Sequence, residues 1–130
     1  MLPLLVIIPE TYKTIERRHQ KRTMFDERSI ALAVEDYANA HGAYPNVSSI
    51  DEVVRIIGKA LPMNDGWGHR YRYAVRNQGK SGPGEYIIIS TGKDGKAQVT
   101  NPWGYSHGAI TDFNDDIVYT EGGYVRYPPW

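Results

Sequence analysis

Between residues 10 and 41 the chain contains no Gly and no Pro, a run too long for anything but helix. Within it Ile30, Ala33, Val34 and Tyr37 fall at i, i+3, i+4 and i+7, the apolar stripe of a helix lying on a core. The earlier turns, with Arg17, Arg18, Lys21 and Arg22, are polar nearly all round. The expectation is therefore a long first helix that buries only its later turns and projects its front half. Gly42 followed by Tyr44-Pro45 ends it, because Gly supplies the C-terminal turn and a residue before Pro is pushed from helical angles.

The rest of the chain changes character. Ser49-Ile50-Asp51-Glu52 has the Ser-x-x-Glu pattern of a capping box, with Ile50, Val53, Val54 and Ile57 as the apolar face of a short second helix before Gly58. Tyr71, Tyr73 and Val75 alternate with Arg72 and Ala74, the period of a strand, and residues 76–84 form a turn-rich linker. Residues 86–90, with three consecutive Ile, predict a central strand buried on at least part of both faces. After a loop over residues 92–114, strands at 117–120 and 124–127 flank Glu121-Gly122-Gly123 as a hairpin, and Pro128-Pro129 stops the sheet. Helix first and sheet later makes an α+β chain, and 130 residues with 41% hydrophobic content suit one core.

Composition excludes several functions. Fifteen basic and fifteen acidic residues cancel, so no overall field recruits nucleic acid. Without cysteine there is no disulfide, thiolate catalysis or cysteine-ligated zinc. The apolar start at residues 1–9 is far short of the roughly 20 residues that span a bilayer. It also lacks the basic lead and small-residue cleavage site of a secretory signal.

Catalytic and nucleotide motifs fail on their own chemistry. Gly79-Lys80-Ser81 looks like the end of a phosphate loop, but Ala74 stands where the earlier Gly is needed and Pro83-Gly84 leads into a strand. His19, His41, His69 and His107 are scattered, with no helical zinc pair, and Ser81 has no nucleophile turn because Pro83 follows. No nucleophile and base stand in evident relation, so no enzyme is expected. Asp112 to Asp116 begins like an EF-hand loop, yet Ile117 stands at the required Gly and Gly123 at the required Glu. What remains is one loop with Asp94 and another with Asp115 and Asp116, a set of hard oxygens suited to calcium if the loops meet. Spacing alone equally allows Asp94-Gly95 to be a plain turn and the other two to be solvated. Trp67, Trp103 and Trp130 with ten Tyr keep a calcium-dependent carbohydrate-binding module open as a second class.

Several segments together resemble a family. Ile8-Pro9, Gln20 to Met24, and Tyr37 through Gly42 to Tyr44-Pro45 are similar to the helix of the bacterial type II secretion major pseudopilins, relatives of type IV pilins. Asp65-Gly66-Trp67-Gly68-His69-Arg70-Tyr71 resembles the family's Asp-Pro-Trp-Gly-Asn-Pro-Tyr signature. Ser90-Thr91-Gly92-Lys93-Asp94-Gly95 resembles its Ser-x-Gly-x-Asp-Gly, and Asp115-Asp116-Ile117 its closing Asp-Asp-Ile. The resemblance implies a pilin-like fold: a long N-terminal helix packed on a small antiparallel sheet with irregular C-terminal loops. It divides the chain into a helix at 1–45, its membrane segment truncated to 1–9, and a head at 46–130 that forms one domain with the end of the helix. It further implies a structural subunit at the bacterial inner membrane and periplasm, assembling with copies of itself and other pseudopilins into a helical filament that drives protein export. A type IV pilin is the near alternative. Calcium is the implied ligand, held by the side chains of Asp94, Asp115 and Asp116 and the main-chain oxygens of Thr91 and Lys96. The leader and the acidic residue near the family's mature N-terminus have no counterpart here, and residues 117–127 resemble a longer C-terminal variant with an added hairpin.

Overall fold

A computed structural model describes residues 2–79 and 81–129, with the side chains of the first helix described from Thr11 onward. How the side chains of residues 1–9 pack lies outside the described residues. Helix α1 runs Leu2–His41, beginning earlier than the Gly- and Pro-free stretch. Pro3 sits in its first turn, where no N–H is required of it. At the usual rise its 40 residues extend about 60 Å. Gly42, at φ +81, closes it by donating to the Ala38 carbonyl at 2.7 Å.

Helix α2, Ile50–Ile57, forms as its cap pattern predicts. The Glu52 N–H donates to Ser49 Oγ at 3.2 Å, and Ser49 Oγ donates to Glu52 Oε1 at 3.1 Å. Gly58 then ends the helix in a left-handed conformation, its N–H on the Val54 carbonyl.

Five strands follow: β1 Arg72–Arg76, β2 Glu85–Ser90, β3 Gly108–Ala109, β4 Ile117–Thr120 and β5 Gly123–Tyr127. They lie in the order β1-β2-β4-β5-β3. The predicted strands and the terminal hairpin form, with a register shift between Val118 and Tyr119. The sheet is mixed, however, and not the antiparallel one expected, because β3 pairs parallel with β5. Strand β3 lies inside the segment expected to be loop. Two residues, Gly and Ala, carry no period and no side-chain signal, and their pairing depends wholly on β5.

The sheet is covered on both faces, which explains the Ile run of β2. On one face Ile30, Val34 and Ala38 of α1 and Ile50 and Val53 of α2 pack with Tyr71, Tyr73, Tyr86 and Ile88. On the other, Ile87, Ile89, Val118 and Val125 lie under Trp103 and Tyr105 of the long loop. That loop substitutes for the second layer of helices the chain lacks.

The front of α1 does not project as expected. From Glu16 onward it lies on the head, burying Glu16, Gln20, Thr23, Asp26 and Glu27. Glu16, Gln20, Thr23 and Glu27 continue, at helical spacing, the stripe that Ile30 and Val34 complete. Polar side chains gave no apolar stripe to read, yet the same face is buried because loop partners meet it.

Candidate functional site

Two places concentrate the polar chemistry: the closing acidic loops, and the seam where those loops and the Asp65 turn meet the front of α1.

In the acidic loops, Gly92 (φ +73) lets the β2 exit run against the Asn114 backbone, where an added Cβ would lie 2.6 Å from the Asn114 carbonyl oxygen. This close approach brings the two loops together. Lys93 N–H donates to the Phe113 carbonyl across the same junction. Gln98 then joins Asp115 and Asp116. Its Nε2 donates to Asp115 Oδ1 at 2.8 Å, its main-chain N–H donates to Asp116 Oδ2 at 2.9 Å, and its Oε1 accepts from the Asp116 N–H at 2.7 Å. Asp115 Oδ2 accepts the N–H groups of Thr111 and Asp112, and Tyr105 OH donates to Asp116 Oδ2. Among the described residues Asp94 Oδ1 accepts only the Lys96 N–H, as in a plain Asx turn.

Of the expected calcium ligands, then, Asp115 and Asp116 share a network and Asp94 stands at its margin, with the Asp94 charge felt at Asp116. Thr91 is buried at the start of the same turn and Lys96 is exposed. Among the described residues no group of three or more acidic, His or Cys side chains is arranged to hold a metal. One oxygen stands out. Asp116 Oδ1 is buried with no hydrogen-bond partner, and burial raises the Asp116 carboxyl above its ordinary value against the opposing pull of Tyr105 and the Gln98 amide. Asp115 Oδ1 and Asp116 Oδ2, hard oxygens of the kind a calcium ion takes, are occupied by Gln98 donors.

At the helix seam, Asp65 is the organiser. Its Oδ1 accepts the N–H groups of Trp67 and His69, and its Oδ2 accepts Ser90 Oγ–H at 2.6 Å. This turn carries Gly66 onto α1, where an added Cβ would lie 2.3 Å from the His19 carbonyl oxygen. Only Gly fits there. The Gly66 N–H donates to Thr23 Oγ1 at 2.9 Å, and Thr23 Oγ1 donates back to the His19 carbonyl. Trp67 Nε1–H donates to Glu16 at 2.8 Å, while Lys93 sits 3.8 Å from the same carboxylate and over the Tyr12 ring. The signature-like segment at residues 65–71 is therefore scaffold that grips the helix.

Sequence reasoning missed two groups here. Glu27 is fully buried and neither carboxyl oxygen has a partner at hydrogen-bond geometry; burial holds it well above the usual carboxylate range, with Asp65 and Asp26 adding to the rise and the Ser90 backbone, near but not in bonding geometry, only partly opposing. The Gln20 side-chain oxygen is likewise buried and unpartnered. Their spacing on the stripe of Ile30 and Val34 was the available signal. Asp26, raised chiefly by burial, accepts from Tyr71 OH at 3.2 Å and sees Arg22 at 3.8 Å.

The aromatic candidates are already engaged. Trp67 lies tilted against His19, and the Arg76 guanidinium sits 4.2 Å from the Trp103 ring centre. Trp130 lies outside the described residues. The four His do not meet. His69 packs by Gly95 with Nε2 3.0 Å from the Lys93 carbonyl oxygen, and His41 stacks on Tyr37. Among the described residues no helix is long and apolar enough to cross a membrane. Comparison with protein-family models, with curated proteins and with solved structures found no match to this chain.

Proposed function

We propose that this chain is a structural subunit of a helical filament of the type II secretion pseudopilus kind, working at the inner membrane and periplasm in protein export. The observation that carries the reading is the outward face of α1. Phe25 is 63% exposed and Leu32 66% exposed, two turns apart on one side of the helix, with Ile15, also exposed, about a quarter turn round from them. Among the described residues four of the six exposed large hydrophobics lie on this helix, of which Ile15, Phe25 and Leu32 make no aromatic or ionic contact with the head, and a repeated apolar contact along a helix is what stacking subunits need. The same resemblance extends to type IV pilins. The carbohydrate-binding alternative is disfavoured because Trp67 and Trp103 are spent on internal contacts.

The absence of native cysteine makes the test clean. A variant carrying both Ile15→Cys and Leu32→Cys, oxidised under assembly conditions, is expected to give a ladder of multimers, since a heterologous contact propagates. Monomer alone would sink the reading, and dimer alone would argue for a closed pair instead.

Calcium is part of the same proposal. Asp115, Asp116 and Asp94, with the carbonyl oxygens of Thr91 and Lys96, would hold it, the buried Asp116 Oδ1 supplying an oxygen that nothing else satisfies. Bound calcium would supply positive charge to that oxygen and tie the two loops together. Millimolar calcium against chelator should raise the melting temperature by several degrees, about 2–3 kcal/mol at saturation a hundredfold above Kd. Coincident melts would remove calcium from the proposal and leave the filament reading standing.

A further inference from the structure

A groove of about 920 Å³ runs along β1 and reaches the start of the Asp94 loop at Thr91 and Gly95. Its floor is residues 71–75, consecutive residues whose side chains alternate between the two faces of the sheet. A groove that touches both sets at once runs along the strand's edge. Strand β1 is terminal in the sheet order, and among the described residues no main-chain group of residues 72–76 hydrogen-bonds outside its ladder with β2. One wall is residues 46–49 leading into α2, and the other is the long loop around Val99, Pro102 and Tyr105. The result is an open strand edge at the bottom of a walled slot, the shape that accepts an extended chain.

The charges in the slot select among extended chains. Arg70 is held by Asp51 at 2.7 and 2.9 Å, while the negatively charged Glu52 is turned into the first turn of α2, where it accepts the Ser48 and Ser49 hydroxyls. Just beyond the slot, Arg76 is paired with Glu85 at 3.0 Å. Arg72 is exposed and, among the described residues, makes no hydrogen bond or ion pair, though it feels Asp116 and Tyr105 at longer range. On the strand edge itself it is the charge without an ion-pair partner among the described residues, and a cation there repels a basic strand directly opposite and favours an acidic one.

We infer that β1 is a docking edge for an extended acidic segment of a partner protein, which adds as a strand beside residues 72–76 with a carboxylate opposite Arg72. Main-chain hydrogen bonds to the free edge supply affinity, and the Arg72 charge supplies the choice of partner. The inference does not rest on the filament reading, which concerns the helix.

The test titrates isotope-labelled protein with a short end-capped peptide alternating valine and glutamate, and with its lysine counterpart, following backbone amide shifts. The expected result is perturbation centred on residues 72–76 and 46–49 by the acidic peptide, weakening with salt. Arg72→Glu should weaken the acidic peptide about tenfold and favour the lysine peptide, with Arg72→Gln between, all three proteins keeping the same melting temperature. No shift up to millimolar peptide, shifts centred elsewhere, or equal response to both peptides would each overturn the inference.

Discussion

The two halves of the buried face of α1 lie on one stripe and are held by opposite physics. The rear half, Ile30, Val34 and Ala38, is buried by apolar packing under Tyr71, Tyr73, Tyr86 and Ile88. The front half, Glu16, Gln20, Thr23 and Glu27, is equally inaccessible but is held by a few directional contacts from the 65–69 turn and Lys93. Apolar burial is non-directional and summed over area, so it survives small errors of register. A polar seam stabilises only where each donor meets its acceptor, and here Gln20 and Glu27 do not find theirs. The helix should therefore be one cooperative unit with the head at its rear and a separately releasable lever at its front.

The contrast can be broken most severely at the rear. Val34→Asp places a charge where no partner exists, and a loss of more than about 4 kcal/mol in urea unfolding is expected, global in extent. A loss of less than about 1 kcal/mol would mean that the rear is not the cooperative anchor.

Gly66→Ala acts at the front. The new Cβ would collide with the His19 carbonyl, and a loss of about 2–3 kcal/mol is expected as the turn backs away from the helix. The sharper readout is hydrogen exchange, which should rise over residues 16–23 while residues 30–38 remain protected. Uniform loss of protection would erase the distinction between the halves.

Glu27→Gln gives the smallest effect and the opposite sign, a gain within about 1 kcal/mol at neutral pH. The folded protein holds the Glu27 proton more tightly than the unfolded chain does, where the ordinary value is 4.5. Above that pH the unfolded chain ionises first, so the Glu27 contribution to stability falls as pH rises toward the folded value. Below it both states are protonated. The advantage of the Gln variant should therefore shrink to nothing as the pH drops below about 4, and an advantage independent of pH would show that the carboxyl is not held neutral.

How much of this was legible varies with the range of the cause. Helix α2 was readable from Ser49, Glu52 and Gly58 because a cap is made within one turn, and β2 from its Ile run because burial on both faces leaves an uninterrupted apolar string. The pairing of Asp115 and Asp116 was legible as chemistry but not as geometry. Gln98, which engages both, stands in a loop whose sequence offers no period. The long 97–113 segment likewise gave no sign that Trp103 and Tyr105 would roof a sheet face.

By itself the sequence determined where α1 ends, helix α2 and the strands β1, β2, β4 and β5, since caps, periods and turn residues act over a few neighbours. Only the tertiary structure decided which polar face of α1 is buried, that β3 runs parallel to β5, and that β1 is left as an open edge. Those outcomes join residues such as Thr23 and Gly66, or Glu16 and Trp67, more than forty positions apart. A hydrogen bond across that distance depends on where two backbones come to rest, and no local pattern encodes it.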